Sequence, residues 1–286
     1  MPKNKLARFF IGLILALIVL VAGFAIALSV APTWGATPQE AARAYPSDAI
    51  NPQPVIGWTN AVTIDAPPEQ VWPWIAQLGD KRGGFYSYTF IENLVSASNV
   101  YHNANQIVPE LQNPQPGDGL VMDMIQVYQV EPGVSLLGNA PAGSALGWSW
   151  LWTLEPLNGN QTRLVVRFRI QPPPGPDNPV LTTALSASAF IMENASVRGI
   201  KERAEGRAAP GPNEPLEIGL WLVALLAGLA AMVFYMIQRN ALPPLLVGLA
   251  AVVALLVFTF VQPAVWLRIA ADLVLIAGVV WARSTR

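Results

Sequence analysis

The chain of 286 residues contains no cysteine and a single histidine, His102. Disulfides, thiolate nucleophiles and cysteine metal sites are therefore excluded, and compartment cannot be read from redox chemistry. One histidine without cysteine leaves no metal-ligand spacing, so no metal and no cofactor are expected. A phosphate-cradling glycine loop is missing as well, because Gly117-Asp118-Gly119 lacks the pattern such loops need. No internal repeat of solenoid or propeller period is present. Charge is scarce: Asp, Glu, Lys and Arg make up 12% of the chain, against roughly 25% in an average soluble protein.

The missing charge has a location. Four long apolar runs cover Phe9–Val30, Ile218–Ile237, Leu242–Val261 and Ala264–Ala282. Each matches the ~20 residues a helix needs to cross a ~30 Å hydrocarbon core. The pattern predicts one N-terminal and three C-terminal transmembrane helices around an aqueous domain. The expected divisions are a membrane anchor at 1–31, a linker with one short helical turn at 32–54, a folded domain at 55–207, a second linker at 208–215 and a three-helix membrane region at 216–286. From Pro32 to Pro215 there are 10 Lys/Arg against 16 Asp/Glu, a net of −6, which suits neither nucleic acid nor an anionic membrane surface.

Lys3, Lys5 and Arg8 precede the first run, Arg239 lies between the second and third, and Arg283 and Arg286 follow the fourth. With four spans these positive ends share one side, which the positive-inside rule makes cytoplasmic. The acidic domain is then expected on the outer face of the cytoplasmic membrane. Cleavage after Ser29 and Ala31 would fall directly before Pro32, so the first run reads as an uncleaved anchor.

In the middle segment, alternation over Asn60–Asp65 predicts a strand. Ala66-Pro67-Pro68 stops it, and Glu69–Leu78 follows as a helix with Val71, Trp72, Ile75 and Leu78 on one face. A second short helix follows Gly83. Strands are predicted at Gly119–Met124, Ile125–Glu131, Ser135–Asn139, Gly147–Glu155 and Arg163–Ile170, with a hairpin turn at Leu157–Asn160. Gln171–Pro179 reads as a stiff proline-rich connection. Val180–Glu205 reads as a long helix with Leu181, Leu185, Ala189 and Met192 in one stripe. That order predicts an α+β domain, a curved antiparallel sheet gripping a long C-terminal helix.

The block TIDAPPEQVWPWIAQLGDKRGGFYSYTFIENL, Thr63 to Leu94, resembles the opening of the START-like superfamily, also labelled SRPBCC or polyketide cyclase/dehydrase-like. Supporting matches are Arg82–Leu94, then Ile107, Pro109, Glu110, Gln112, Gly117 and Asp118, and the final helix FIMENASVRGIKERAEG. The resemblance covers about Tyr45 to Gly206. It implies a helix-grip fold enclosing a cavity for lipids, sterols, polyketides or other apolar molecules. Family members are carriers, sensors or, in a minority, enzymes, so the fold alone does not choose a function.

Trp148, Trp150 and Trp152 alternate on one strand and share a face; they either line a ligand cavity or fill a core. Tyr86, Tyr88, Glu92 and Asn93 follow the Gly83-Gly84 pair and either form the polar end of a cavity or bond backbone. These seven residues are the candidate ligand site. Arg163, Arg167 and Arg169 share one face of their strand, opposite Leu164, Val166, Phe168 and Ile170, and that face is either solvated or an anion clamp. For an enzyme, Glu92, Glu110 and Tyr86 are the acid–base candidates. Glu110 and Asp118 are each either a general base or a turn and ladder-end hydrogen-bonding residue, and His102 reads as a surface histidine. Arg268 and Asp272 lie four apart in the last span, either neutralising each other or marking a function. Ala224 with Gly228, and Ala227 with Ala231, offer small faces for close helix packing.

The resulting expectation is a membrane-tethered domain that binds a lipid or other apolar small molecule. The competing readings are a packed structural or partner-binding domain, and a cyclase, dehydratase or hydrolase acting on an apolar substrate.

Overall fold

The computed structural model describes residues 4–171 and 178–285. Its elements in order are α1 (Lys5–Val30), α2 (Pro38–Ala42), α3 (Pro46–Ile50), β1 (Ile56–Ile64), α4 (Pro68–Ala76), α5 (Thr89–Ser96), β2 (Gly119–Val121), β3 (Ile125–Glu131), β4 (Ser135–Asn139), β5 (Gly147–Asn158), β6 (Gln161–Gln171), α6 (Pro179–Ala204), α7 (Glu214–Ile237), α8 (Leu242–Leu256) and α9 (Val265–Ser284). The chain divides into two units, Val30–Pro212 and the helices formed by Met1–Ser29 with Asn213–Arg286. Five helices, α1 and α6 to α9 (α1 with the 3-10 turn Ala31–Thr33 and α8 with the π turn Val257–Val261 included), are long and apolar enough to cross a membrane, consistent with a membrane protein. The fifth, α6, belongs to the sheet-containing unit. The proline run at 172–177 lies outside the described residues, as do Lys3 and Arg286 of the charged flanks.

The first unit is α+β. Its six-stranded antiparallel sheet has the order β1-β6-β5-β4-β3-β2. Strand β1 starts earlier than its alternation suggests, at Ile56, because Ile56 and Gly57 continue the ladder opposite Ile170 and Arg169. Strand β2 ends at Val121, since Met122 and Asp123 both take positive φ to turn the chain into β3. Helix α4 buries Val71, Trp74 and Ile75, while Trp72 is only half-buried.

One sheet face packs on α6. Trp58 of β1 stacks on Phe168 of β6 at 4.3 Å, and Phe190 of α6 meets Trp58 edge-on at 6.4 Å. The buried residues of α6 include Ala187, Phe190, Glu193, Val197, Ile200 and Ala204, whereas Leu181 and Leu185 are exposed. This differs from the predicted stripe of Leu181, Leu185, Ala189 and Met192. The reason is that a carboxylate, Glu193, occupies the centre of the buried face, and an apolar period cannot reveal it.

The opposite sheet face is covered by the segment expected to be a linker. Tyr45 and Ile50 pack with Ala61, Leu137, Leu151 and Val165. Thr37 caps α2 in a capping box with Glu40. The arginines of β6 are therefore neither solvated nor an open anion clamp. Arg163 grips Glu40 in two parallel bonds, Nε to Oε1 at 2.7 Å and Nη2 to Oε2 at 2.8 Å. Arg167 and Arg169 both reach Asp48 at 3.0 Å.

In the helical unit, Ala224, Ala227 and Ala231 are buried on α7, and a Cβ at Gly228 would sit 3.1 Å from Ala251 of α8. The small residues thus serve close helix packing. Helix α1 approaches α8 closely enough that a Cβ on Gly23 would meet Leu256 at 2.4 Å. Arg8 is buried and donates to the main-chain oxygens of Tyr235 and Gln238 at the C-terminus of α7, where a positive charge is favoured by the helix dipole.

The Arg163–Glu40 clamp holds the Glu40 carboxyl down from 4.5 to about 2. A depressed folded-state pKa contributes stability above the unfolded value and loses it as pH falls through the folded one. Glu40→Gln is therefore expected to destabilise the domain by about 2 kcal/mol at neutral pH. It should also remove part of the loss between pH 4.5 and about 2. Thermal melts of the full chain in detergent, followed by tryptophan fluorescence, check both.

A candidate functional site at Glu193

The chemistry-bearing group inside the domain is one the alternation patterns do not mark. Glu193 lies in the C-terminal half of α6 and is 2% exposed. Three N–H groups from the sheet converge on it. The Trp58 indole donates to Oε1 at 2.5 Å and the Asn60 amide to the same oxygen at 2.9 Å. The Trp150 indole donates to Oε2 at 2.9 Å.

Strand geometry explains the convergence. Trp58 lies opposite Phe168 and Asn60 opposite Val166 across β1 and β6, while Trp150 lies opposite Phe168 across β5 and β6. All three donors therefore project from the same face. Burial pushes the Glu193 carboxyl up to about 7, and the three donors oppose that rise by favouring its ionised form. Two polar atoms of side chains on this sheet face have no hydrogen-bond partner among the described residues although they are buried, Asn60 Oδ1 and Trp148 Nε1. Such atoms are rare in folded proteins and call for an explanation.

The tryptophans of β5 divide in role. Trp152 is fully buried and tilts against Trp150 at 4.9 Å. Trp148 is half-buried and meets Phe168 edge-on at 5.7 Å. Trp150 alone of the three holds the carboxylate.

The segment after Gly83-Gly84 is placed apart from Glu193 in function. Gly84 takes φ +84°, and a Cβ there would stand 2.0 Å from the His102 main-chain oxygen. Tyr86 also has positive φ. Its hydroxyl donates to the Trp74 main-chain oxygen at 3.1 Å, burial pushes the phenol up, and Arg203 lies over its ring at 4.7 Å. Gly199 of α6 lets the helix approach this tyrosine, since a Cβ would meet Tyr86 O at 2.4 Å. Asn93 exchanges two bonds with the Tyr101 backbone at 3.0 and 3.1 Å. Tyr88 is buried and touches Phe90 edge-on at 6.2 Å, and Glu92 is half-buried on α5. Tyr86 and Asn93 thus act as backbone latches.

Of the remaining acid–base candidates, Glu110 is exposed on a short 3-10 turn. Asp118 pairs with Arg82 at 3.1 Å and accepts from the Gln115 main-chain N–H at 2.9 Å, closing a turn. His102 is exposed, and its Nδ1 lies 3.1 Å from the Val100 oxygen. These groups do not meet at one point. A sequence signal for Glu193 did exist: an acid inside an otherwise small and apolar helical stretch, AFIMENA, with tryptophans on two strands able to donate to it.

No protein-family model and no curated protein matches the chain. Among solved structures, a Bordetella parapertussis protein determined by NMR in solution is similar at 16% identity, with a TM-score of 0.33 over 60% of this chain and 89% of that one. A conserved protein from Geobacillus kaustophilus, solved by crystallography, aligns at 14% identity and a TM-score of 0.27, over 52% of this chain and 93% of that one. Likeness at these scores carries no argument about fold or function.

An acid whose folded pKa is raised stabilises the fold most below its unfolded value, and the contribution falls as pH climbs through the folded value. For Glu193 that window runs from 4.5 to about 7. Glu193→Gln must turn an amide N–H₂ toward one indole donor, which costs about 1–3 kcal/mol for the unmade bond. The variant is expected to melt well below the wild type at pH 5, with the gap closing by pH 8. A gap that stays constant across that range would show that Glu193 does not titrate in the fold.

Proposed function

We propose that the domain at 55–207 is a START-like, helix-grip module held at a membrane, and that it binds an apolar small molecule whose polar group is read at Glu193. The observation that carries this reading is the buried carboxyl set among aromatic rings, with Asn60 Oδ1 and Trp148 Nε1 beside the same sheet face and unsatisfied. Binding sites for small molecules share this composition, an aromatic and apolar wall with a few convergent polar groups. The packing of α6 on a six-stranded antiparallel sheet and the residues of the Thr63–Leu94 block support the family assignment. Four of the five apolar helices, α1 and α7 to α9, supply the membrane attachment.

The proposed ligand is a lipid or lipid-like compound with a hydroxyl or amine, because the free lone pairs of Glu193 and Asn60 Oδ1 are acceptors. Full-length protein purified in mild detergent is expected to carry a defined small molecule, seen as a mass excess by native mass spectrometry. Glu193→Gln is expected to lower its occupancy at least about tenfold, the loss of roughly one hydrogen bond to a charged group.

A second reading is favoured by a different observation. Aromatic rings of the sheet pack on one another and Phe190 of α6 meets Trp58 edge-on, and α5 exposes Phe90, Leu94 and Val95. A consistently ligand-free domain, unchanged in tryptophan emission when lipids are added, would support this packed, partner-binding domain instead.

We place the domain on the outer face of the cytoplasmic membrane and both chain ends inside. Support comes from Arg8, Arg239 and Arg283, which the helical unit gathers around Gln238 at one end of the bundle. A reporter inserted after the exposed Gly143 is expected to be active only outside the cytoplasm; cytoplasmic activity would reverse the topology.

A further inference from the structure

The last helix contains an ionisable pair whose partners are not the ones its spacing suggests. Arg268 and Asp272 lie four apart on α9, and both are buried. Arg268 nevertheless turns to α7. Its Nη1 stands 2.9 Å from Glu217 Oε2, its Nε donates to the Pro263 main-chain oxygen at 2.9 Å, and its guanidinium lies 5.8 Å from the Phe258 ring centre. Both carboxylate oxygens of Asp272 are buried without a hydrogen-bond partner among the described residues, and so is Nη2 of Arg268.

The surroundings offer Asp272 little else. Across α7 the charged residues are Glu214 and Glu217, α8 and the following π turn have none, and α9 adds only Arg268 and Arg283. Arg283 lies at the far end of α9, where its main-chain oxygen meets Gln238. Glu217 and Arg268 neutralise each other. Asp272 is 3% exposed and lies about 10 Å into the helix, in a bundle whose buried cluster is Leu220, Ala224, Ala227, Ala251, Phe258 and Leu275; an ionised carboxylate there, with Glu217 and Arg268 already paired, is strongly disfavoured. A metal cation is a poor occupant, because no group of three or more acidic or histidine side chains exists among the described residues and such ions need several oxygens.

We propose that Asp272 is a proton-binding site inside the α7–α8–α9 bundle, and that its proton decides which acid Arg268 pairs with. With the proton on Asp272, Arg268 bridges α9 to Glu217 of α7. When the O–H bond breaks and the proton leaves to water, the new carboxylate claims the unpartnered Nη2 of Arg268 on its own helix, and the bridge to α7 weakens. The device rests on the helical unit alone and is independent of ligand binding at Glu193.

The test uses full-length protein in detergent micelles and dicyclohexylcarbodiimide; a protonated carboxyl in apolar surroundings adds its O–H across a C=N bond of the reagent, and the O-acylisourea formed rearranges to a stable N-acylurea. Peptide mass spectrometry locates the adduct. Labelling of Asp272 is expected at pH 6 and should fall at least tenfold by pH 9, while Glu217 stays unlabelled. Glu217→Gln frees Arg268 for Asp272 and is expected to cut labelling at pH 7 at least tenfold. Absence of Asp272 labelling at every pH, protection by sodium or potassium at fixed pH, or unchanged labelling in Glu217→Gln would each overturn the proposal.

Discussion

The sheet-containing unit depends on one carboxyl group fixed between its two layers. Glu193 projects from α6 into the aromatic face of the sheet and receives N–H groups from β1 and β5. A carboxylate in that position would be costly if unsatisfied, by several kcal/mol. The cost enforces geometry, since only one register of α6 against the sheet brings all three donors within reach. The edge-on contact of Phe190 with Trp58 and the close passage of Gly199 over Tyr86 follow from that register, while the stacked Trp58 and Phe168 rings come from the pairing of β1 with β6.

The same logic governs the outer face. Three arginines on one side of β6 would make an unprotected sheet strongly basic, yet the chain supplies its own acids from α2 and α3. These contacts turn a short, proline-punctuated segment into a lid over the sheet. In both faces a polar group drives the packing of a nearby element, and the apolar contacts fill in around it. The bundle repeats the theme with Glu217 and Arg268 tying α7 to α9 at 2.9 Å, where removing either partner would leave the other an uncompensated buried charge.

Much of the architecture was legible in the residues. Apolar runs of span length stand out because a bilayer imposes a length on any helix crossing it. Strand alternation located β3, β4, β5 and β6, and the Asn-Gly-Asn turn marked the β5–β6 hairpin, because local backbone chemistry decides those features. Covering the sheet with residues 38–50 was not legible, since it depends on Glu40 and Asp48 meeting arginines more than a hundred residues away. The buried face of α6 escaped for a related reason. Its period is broken by Glu193 and Asn194, which are admissible in a core only when distant donors are in place. Among the site candidates, Trp150 belongs to the Glu193 cluster, while Tyr86 and Asn93 serve the backbone around them.

By itself the sequence determined the position of four long apolar runs, the α+β succession between them and the absence of thiols, because composition and local periodicity carry that information. Only the tertiary structure decided which charged groups are partners. Arg268 sits four residues from Asp272 yet pairs with Glu217, and Glu193 finds two indoles and an amide on strands 135 and 43 residues away. Pairing of buried polar groups is set by three-dimensional proximity and by the cost of leaving any one unsatisfied, and neither is written in spacing along the chain.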